Sequence, residues 1–431
     1  MQGAFIDSAV KLDGPPETDT PLQSARRAFL ESQLGCRIDL FFGGGSYDFQ
    51  LAAAKGFLVP SGFASDHPEI FGEGEGKIPA MLSGEPFIDA KGLWVGNVIS
   101  AFGIVYNSDV LARLKIEEPP QRWSDLANPR YVGEIALANP TQSGSINKAF
   151  EMLVQQVIAD EMMVHNAADD DKEVIAAGWI RALRLLQRIG ANSRYFTDSS
   201  TKPSLDVAAG DCAAGMTIDF YGRFQAESVA RNGGNYLHYV NAEGGTSVTV
   251  DPIGMFRGAP HPELAREFIT FVMSDEGQKL WNWKVGAPGG PQRYALRRLP
   301  VFPSLYADEF KALRSDPEVR PYEMAKGFKY RPAWTAGVFG AQAFIIRAMC
   351  IDSDGELKAA WRALIDAGFP PKAMEKFSDL DHVNYAAANG RIKATASSKA
   401  RKIDQVRLAK SLADQFRANY VEAARLARAG E

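Results

Sequence analysis

Residues 100–145 read SAFGIVYNSDVLARLKIEEPPQRWSDLANPRYVGEIALANPTQSGS. Within this stretch, 102–106 is an apolar strand pattern. Asn107-Ser108 stops it, and Ser108 is placed to cap a short helix over 109–114. Pro119-Pro120 breaks the chain again. Trp123, Leu126 and Tyr131 follow as apolar anchors around Asn128-Pro129. Residues 134–138 have the pattern of a buried strand. Asn139 to Ser145 then carries hydroxyls and backbone donors to the start of another helix.

Three pieces of the stretch, GIVYN-x-DVL, PP-x-x-W-x-DL-x-x-P-x-Y-x-G-x-I-A-L and NP-x-x-SGS opening a helix, resemble the hinge region of bacterial extracellular solute-binding proteins that serve ABC importers. A return segment over 251–282, DPIGMFRGAPHPELAREFITFVMSDEGQKLWN, resembles the same family. The resemblance runs, with gaps, from about Asp39 into the C-terminal region. Its pattern is that of the ferric-iron, thiamine and phosphonate binders. It implies an α/β, two-lobe periplasmic-binding-protein-like fold of type II. Lobe I would comprise 1–104 and 251–300, lobe II 105–250, and a helical C-terminal extension 301–431 would pack on the lobes. The implied function is capture of a small oxygen-rich or anionic solute in a cleft between the lobes: phosphate, phosphonate, a carboxylate or an Fe(III) complex. Hinge closure would bury the solute, and the closed receptor would deliver it to an inner-membrane ABC permease. The implied location is periplasmic or extracellular, and the implied state is a monomer.

Bulk properties are those of an ordinary folded globular protein. The 431 residues are 46% hydrophobic and 23% charged, enough for sizeable cores, and the formal net charge of −4 argues against a nucleic-acid partner. No uninterrupted apolar run approaches the roughly 20 residues that span a bilayer. Cys36, Cys212 and Cys350 are odd in number and lack CxxC spacing, so they are expected to be small buried hydrophobes. His67, His165, His238, His261 and His382 show no HExxH spacing, and no GxSxG elbow occurs. No cofactor is expected. The alternatives are an enzyme, such as a transferase on the same fold, or a truncated product that does not bind. The opening MQGAFID has no basic region followed by a long apolar core, hence no signal peptide. The strand–helix–strand unit with which the resembling family opens is also not found, so lobe I is expected to be N-terminally incomplete.

Candidate ligand contacts come from turns at helix starts. In lobe I, a strand over 38–42 leads into Gly43-Gly44-Gly45-Ser46-Tyr47 and a helix over 49–55 closed by Gly56. Glycines let backbone approach a ligand, and the N–H groups at a helix start favour anions. The turn is neither a Walker A loop nor GxGxxG, and a tight turn without a ligand is the competing reading. Ser100 lies where the chain crosses between lobes. In lobe II the candidates are Thr141, Ser143, Gly144 and Ser145 before a helix over 146–158. Residues 162–172 read as an acidic, mobile link to an amphipathic helix over 175–189. A strand is expected over 213–220, with Tyr221-Gly222-Arg223 at its end. In the resembling family, residues after this strand point into the cleft, and ferric binders use two adjacent tyrosines there. Here the pair is Phe220-Tyr221, so Tyr221 would be the one phenolate for Fe(III). Asp219 is a second oxygen donor if it shares the strand face, as residues two apart do. The arginines of 288–334 are expected to pair with carboxylates on a surface loop.

Overall fold

Capping and turn chemistry set most element boundaries in the computed structural model, which describes residues 10–397 and 401–431. The N-terminal run MQGAFID, on which the signal-peptide reading rested, lies outside the described residues. In chain order, α1 is Pro21–Glu31, β1 Leu40–Phe42, α2 Ser46–Lys55, β2 Leu58–Val59 and β3 Val95–Ser100. Then come β4 Phe102–Asn107, α3 Ser108–Arg113, β5 Ile135–Ala138, α4 Gly144–His165 and α5 Lys172–Ala191. They are followed by β6 Ser193–Thr197, α6 Lys202–Ala208, β7 Ala214–Ile218, α7 Asp219–Arg231 and β8 Leu237–Asn241. The return passes through β9 Thr249–Phe256, α8 Pro262–Val272, α9 Asp275–Asn282 and β10 Leu299–Pro300. Among the later helices are α10 Asp354–Asp366, α11 Pro371–Phe377 and α12 Lys402–Arg428.

The chain divides into two compact units, one running up to Ser100 and resuming over Val248–Lys326, the other Ala101–Ser247 with Gly327–Glu431. The segment read as one extension over 301–431 therefore splits after Lys326. Its first part stays with unit 1. Its helices share the hydrophobic core of unit 2, where Phe377, Phe416 and Tyr420 cluster with Phe150, Leu153 and Trp179. Buried hydrogen bonds fix the attachment: Trp179 Nε1 donates to Val383 O at 3.0 Å, and Trp361 Nε1 to Asn192 Oδ1 at 2.8 Å.

In unit 1 a five-stranded sheet has the order β1-β9-β3-β10, with β2 also on β9, and every pairing is antiparallel. Its core gathers Phe49, Phe87, Trp94, Ile99, Val250 and Ile269. In unit 2 the order is β8-β4-β7-β5-β6. There β4 pairs antiparallel with β8 and β7, whereas β5 runs parallel to both β7 and β6. Helices α4 and α5 together connect the parallel strands β5 and β6 and share the core of unit 2 through Phe150, Leu153, Trp179, Leu183 and Leu186. Gly222 lets α7 approach β8: a Cβ there would meet the Tyr239 ring at 2.3 Å.

Several boundaries differ from the sequence reading. Asn107, not Ser108, caps α3, because the amide oxygen accepts from both the Asp109 and Val110 N–H while the Ser108 hydroxyl donates to Tyr236 O. The region read as a mobile link is a short connection between two helices: α4 continues to His165, Asn166 ends it with φ +48°, and Asp171 caps α5. The strand expected over 213–220 ends at Ile218, and α7 starts at once. Cys212 and Cys350 are buried, but Cys36 is exposed. Burial pushes the Cys212 thiol up to about 12. Residues Pro332–Ile351 form a helical run long and apolar enough by length and composition to cross a membrane. Most of it is buried, with Trp334, Val338, Ile345 and Met349 inside the core of unit 2. Arginines of 288–334 pair with acids in part, Arg297 with Asp316, Arg298 with Asp251, Arg320 with Asp308 and Arg331 with Asp169, but the segment is not all surface loop: Arg314 is fully buried and donates to Val319 O and Pro317 O.

The capping assignment has a direct test. Asn107 is 3% exposed, and its Nδ2 also donates to Val207 O at 3.0 Å. Asn107→Ala is expected to cost about 2 kcal/mol in denaturant unfolding, from a lost cap and a carbonyl left unpaired. Ser108→Ala is expected to cost less than about 1 kcal/mol.

Candidate functional site

In unit 2, parallel pairing brings two helix starts to one sheet edge. β5 and β7 are adjacent and parallel, with Ile135 opposite Ala214 and Ala136 opposite Gly215. Their carboxyl ends therefore lie side by side, and each leads into a helix: β5 through a short turn into α4, β7 directly into α7. Open α/β sheets present ligand sites at such edges.

Asn139 organises the first turn. Its N–H donates to Thr197 O at the end of β6 (2.7 Å), and its side-chain oxygen accepts from the Thr141 N–H (2.9 Å) and hydroxyl (2.7 Å). Its carbonyl accepts from the N–H groups of Gln142 and Ser143, each at 3.0 Å. Ser143 then caps α4 by accepting from the Ile146 N–H at 3.3 Å. Gly144 and Ser145 occupy the first two helical positions, where the amides have no carbonyl of the helix behind them. Thr141 and Gly144 are exposed; Ser143 and Ser145 are half-buried.

The second start is built around an ion pair. The Asp219 N–H donates to Ala101 O at 3.0 Å, which fixes the chain as it leaves β7. The Asp219 carboxylate accepts from the Phe220 N–H at 2.8 Å and from Arg223 Nη1 at 2.9 Å. Asp219 is 0% exposed and Arg223 8%. The carboxylate is thus enclosed within the turn that it holds. Because 219–223 is helical, Asp219 and Arg223 are one turn apart, and strand alternation does not relate Asp219 to Tyr221. Tyr221 is half-buried with its ring 4.3 Å from that of Phe220. Among the described residues, neither the Ser145 nor the Tyr221 hydroxyl has a hydrogen-bond partner. The edge therefore presents unspent O–H groups beside unspent helix-head N–H groups, and α-helix N-termini favour negative charge.

Unit 1 carries the other candidates. Gly43 and Gly44 follow β1 with φ +80° and +93°, backbone that a side chain would strain. The Gly43 N–H donates to Pro252 O at 2.9 Å. Gly45 stands at the N-cap of α2 with no side-chain cap, Ser46 is buried, and Tyr47 is exposed. Burial pushes the Asp48 carboxyl in the first turn above its usual range. Ser100 ends β3 opposite Thr249, 3% exposed, and its hydroxyl oxygen is buried without a partner. Among the described residues, no group of three or more His, Cys, Asp or Glu side chains is placed to hold a metal ion.

Sequence reasoning did not identify Arg223 or Asn139 as organisers. The signal for Arg223 was its four-residue spacing from Asp219, which has meaning only once 219–223 is read as helix. Asn139 two residues before Thr141 carried the pattern of a side chain closing its own turn.

The family model described as bacterial extracellular solute-binding protein matches residues 72–297. An uncharacterized protein of Haemophilus influenzae is 29% identical over 249 residues, which are 58% of this chain and 61% of that protein. The phosphoglycerate transport regulatory protein PgtC of Salmonella typhimurium is 23% identical over 186 residues, 43% of this chain and 40% of that protein. The chain thus spans between two fifths and about three fifths of the length of these curated relatives. Among solved structures, the periplasmic binding protein AfuA of Actinobacillus pleuropneumoniae aligns with a TM-score of 0.43 and 22% identity, over 56% of this chain and 65% of that one. The apo ferric ion-binding protein A of Pasteurella haemolytica aligns at 0.47 and 14%, over 75% and 86%.

The ion pair beneath Tyr221 gives a stability prediction. Asp219→Ala removes a fully buried carboxylate from its ion pair with Arg223 and leaves the Phe220 N–H without its acceptor, so unfolding free energy should fall by more than about 2 kcal/mol in a chemical denaturation series. A loss below about 1 kcal/mol is what a solvent-screened pair would give.

Proposed function

This chain belongs to the bacterial extracellular solute-binding protein family, and on that premise we propose that it captures a small anionic solute for an ABC importer. The observation that carries the proposal is the carboxyl edge of unit 2, where the hydroxyls of Ser145 and Tyr221 stand without partners beside two helix starts. Donors in this arrangement suit a phosphate, phosphonate or carboxylate group, because each oxygen of the anion accepts what the edge offers. Thr141, Ser143 and Gly144 complete the contact surface of α4. From unit 1, the Gly43-Gly44-Gly45-Ser46-Tyr47 turn and Ser100 are candidate contacts on their own sheet edge.

A ferric ion is the weaker ligand for the same residues. Fe(III) needs several hard anionic donors. Here Tyr221 is one, and the carboxylate nearest to it in sequence, Asp219, is occupied by Arg223 and the Phe220 N–H. The relative named for phosphoglycerate transport adds support for a phosphorylated carboxylate. The receptor works outside the cytoplasm, in the periplasm where there is one, and its partner is a membrane permease. It binds without turnover.

A thermal-shift titration with 3-phosphoglycerate, inorganic phosphate, a phosphonate and ferric citrate tests the reading. One of the phosphorus oxyanions should raise the melting temperature with the logarithm of its concentration once that exceeds the dissociation constant. The double variant Ser145→Ala with Tyr221→Phe should lose that rise while keeping its unliganded melting temperature within about 2 °C, as substitutions outside the core do. Full stabilisation of the double variant would remove these residues from the site.

A further inference from the structure

Unit 2 also holds a recess of about 950 Å³ that shares no lining residue with the carboxyl-edge turns. It lies over the Pro-rich segment that precedes β5 and against the last turns of α5. Pockets for small ligands commonly enclose about 300–1,000 Å³. Two of its donors are unspent. Arg188, in the last turn of α5, has its Nε buried with no acceptor, and among the described residues its guanidinium has no hydrogen bond or ion pair. Burial, and then the positive charge of Arg184, lowers its pKa from the usual arginine range. Tyr131 is 2% exposed, and among the described residues its hydroxyl has no partner. Burial and then the negative Asp125 hold that phenol far above the usual tyrosine range, so at neutral pH it is an O–H donor.

Lining carboxylates do not neutralise this pair. Asp125 is engaged by the N–H groups of Gln121 and Arg122, each at 2.8 Å. Glu117, Glu118 and Glu243 are exposed lining residues. Arg188 is half-buried with its Nε enclosed, and a cation partly withdrawn from water without an anion is costly, a cost that an anion entering the recess relieves. Arg122 and Arg130 line the recess beside these glutamates, and the volume of the recess limits the occupant to a small molecule.

We propose that this recess is a second binding site, separate from the carboxyl-edge surface, for a small carboxylate or phosphate that accepts hydrogen bonds from the Arg188 guanidinium and the Tyr131 hydroxyl. The full chain is tested by equilibrium dialysis against radiolabelled inorganic phosphate and, in parallel, succinate. Arg188→Gln is expected to weaken one class of bound anion by about tenfold or more, the effect of losing a charge-assisted contact. Tyr131→Phe should weaken the same class by a smaller factor. The Ser145→Ala, Tyr221→Phe double variant should leave that class unchanged, which separates this site from the carboxyl-edge surface whether or not the latter takes phosphate. Circular dichroism checks the fold of each variant, and Tyr131→Phe decides the matter if Arg188→Gln does not fold. Identical isotherms for wild type, Arg188→Gln and Tyr131→Phe would overturn the proposal. So would loss of all anion binding in the Ser145→Ala, Tyr221→Phe variant alone.

Discussion

Parallel pairing of β5 with β7 is the constraint on which the candidate site depends. Parallel neighbours must both exit from the same edge, and each must then return through a crossover. Here both exits open α-helices, α4 and α7. Two sets of helix-head amides are thereby held side by side without any side chain having to fold back to make them so. Antiparallel pairing would have sent the two exits to opposite edges. The two turns differ in kind. The first is closed by Asn139, which spends its own polar groups on the loop. The second is closed by Asp219, which spends its charge on Arg223.

That division of labour explains which groups remain for a ligand. Buried polar atoms need partners, and the turns supply them internally. What is left over is the Ser145 and Tyr221 hydroxyls and the Gly144 and Ser145 amides at the head of α4, since the first two amides of α7 are taken by Ala101 O and the Asp219 carboxylate. The chemistry of the remainder is almost wholly that of donors, which is why an oxyanion suits it better than a cation. Arg188 and Tyr131 follow the same reasoning elsewhere in unit 2, with the difference that there the unspent donors lie in a recess rather than along a sheet edge.

Much of the fold was legible because hydrophobic period and glycine placement are local signals. The strand at 102–106, the buried run before Asn139, the amphipathic stripe of α5 and the αL glycine after α2 could all be read one element at a time. Three things were not local. Tyr221 was placed at the end of a strand because Ala214–Ile218 and the residues after it are alike in hydrophobicity. Only the sheet partners and the Ala101 carbonyl show that the strand stops at Ile218. The C-terminal helices looked separable because their apolar faces are visible in sequence while the surface they cover is not. Trp179 with Val383 and Trp361 with Asn192 join residues more than 150 positions apart. Cys36 was expected to be buried from residue type alone, and type does not report burial at a loop position.

Family membership and site geometry lead to one central claim: the carboxyl edge formed by β5 and β7 is where solute is held. Amide NMR of the ¹⁵N-labelled chain during titration with 3-phosphoglycerate tests it most directly. The account predicts saturable shifts at Gly144, Ser145 and Ile146 together with Phe220 and Tyr221, sharing one binding curve. Saturable binding that leaves all five amides unmoved would contradict it.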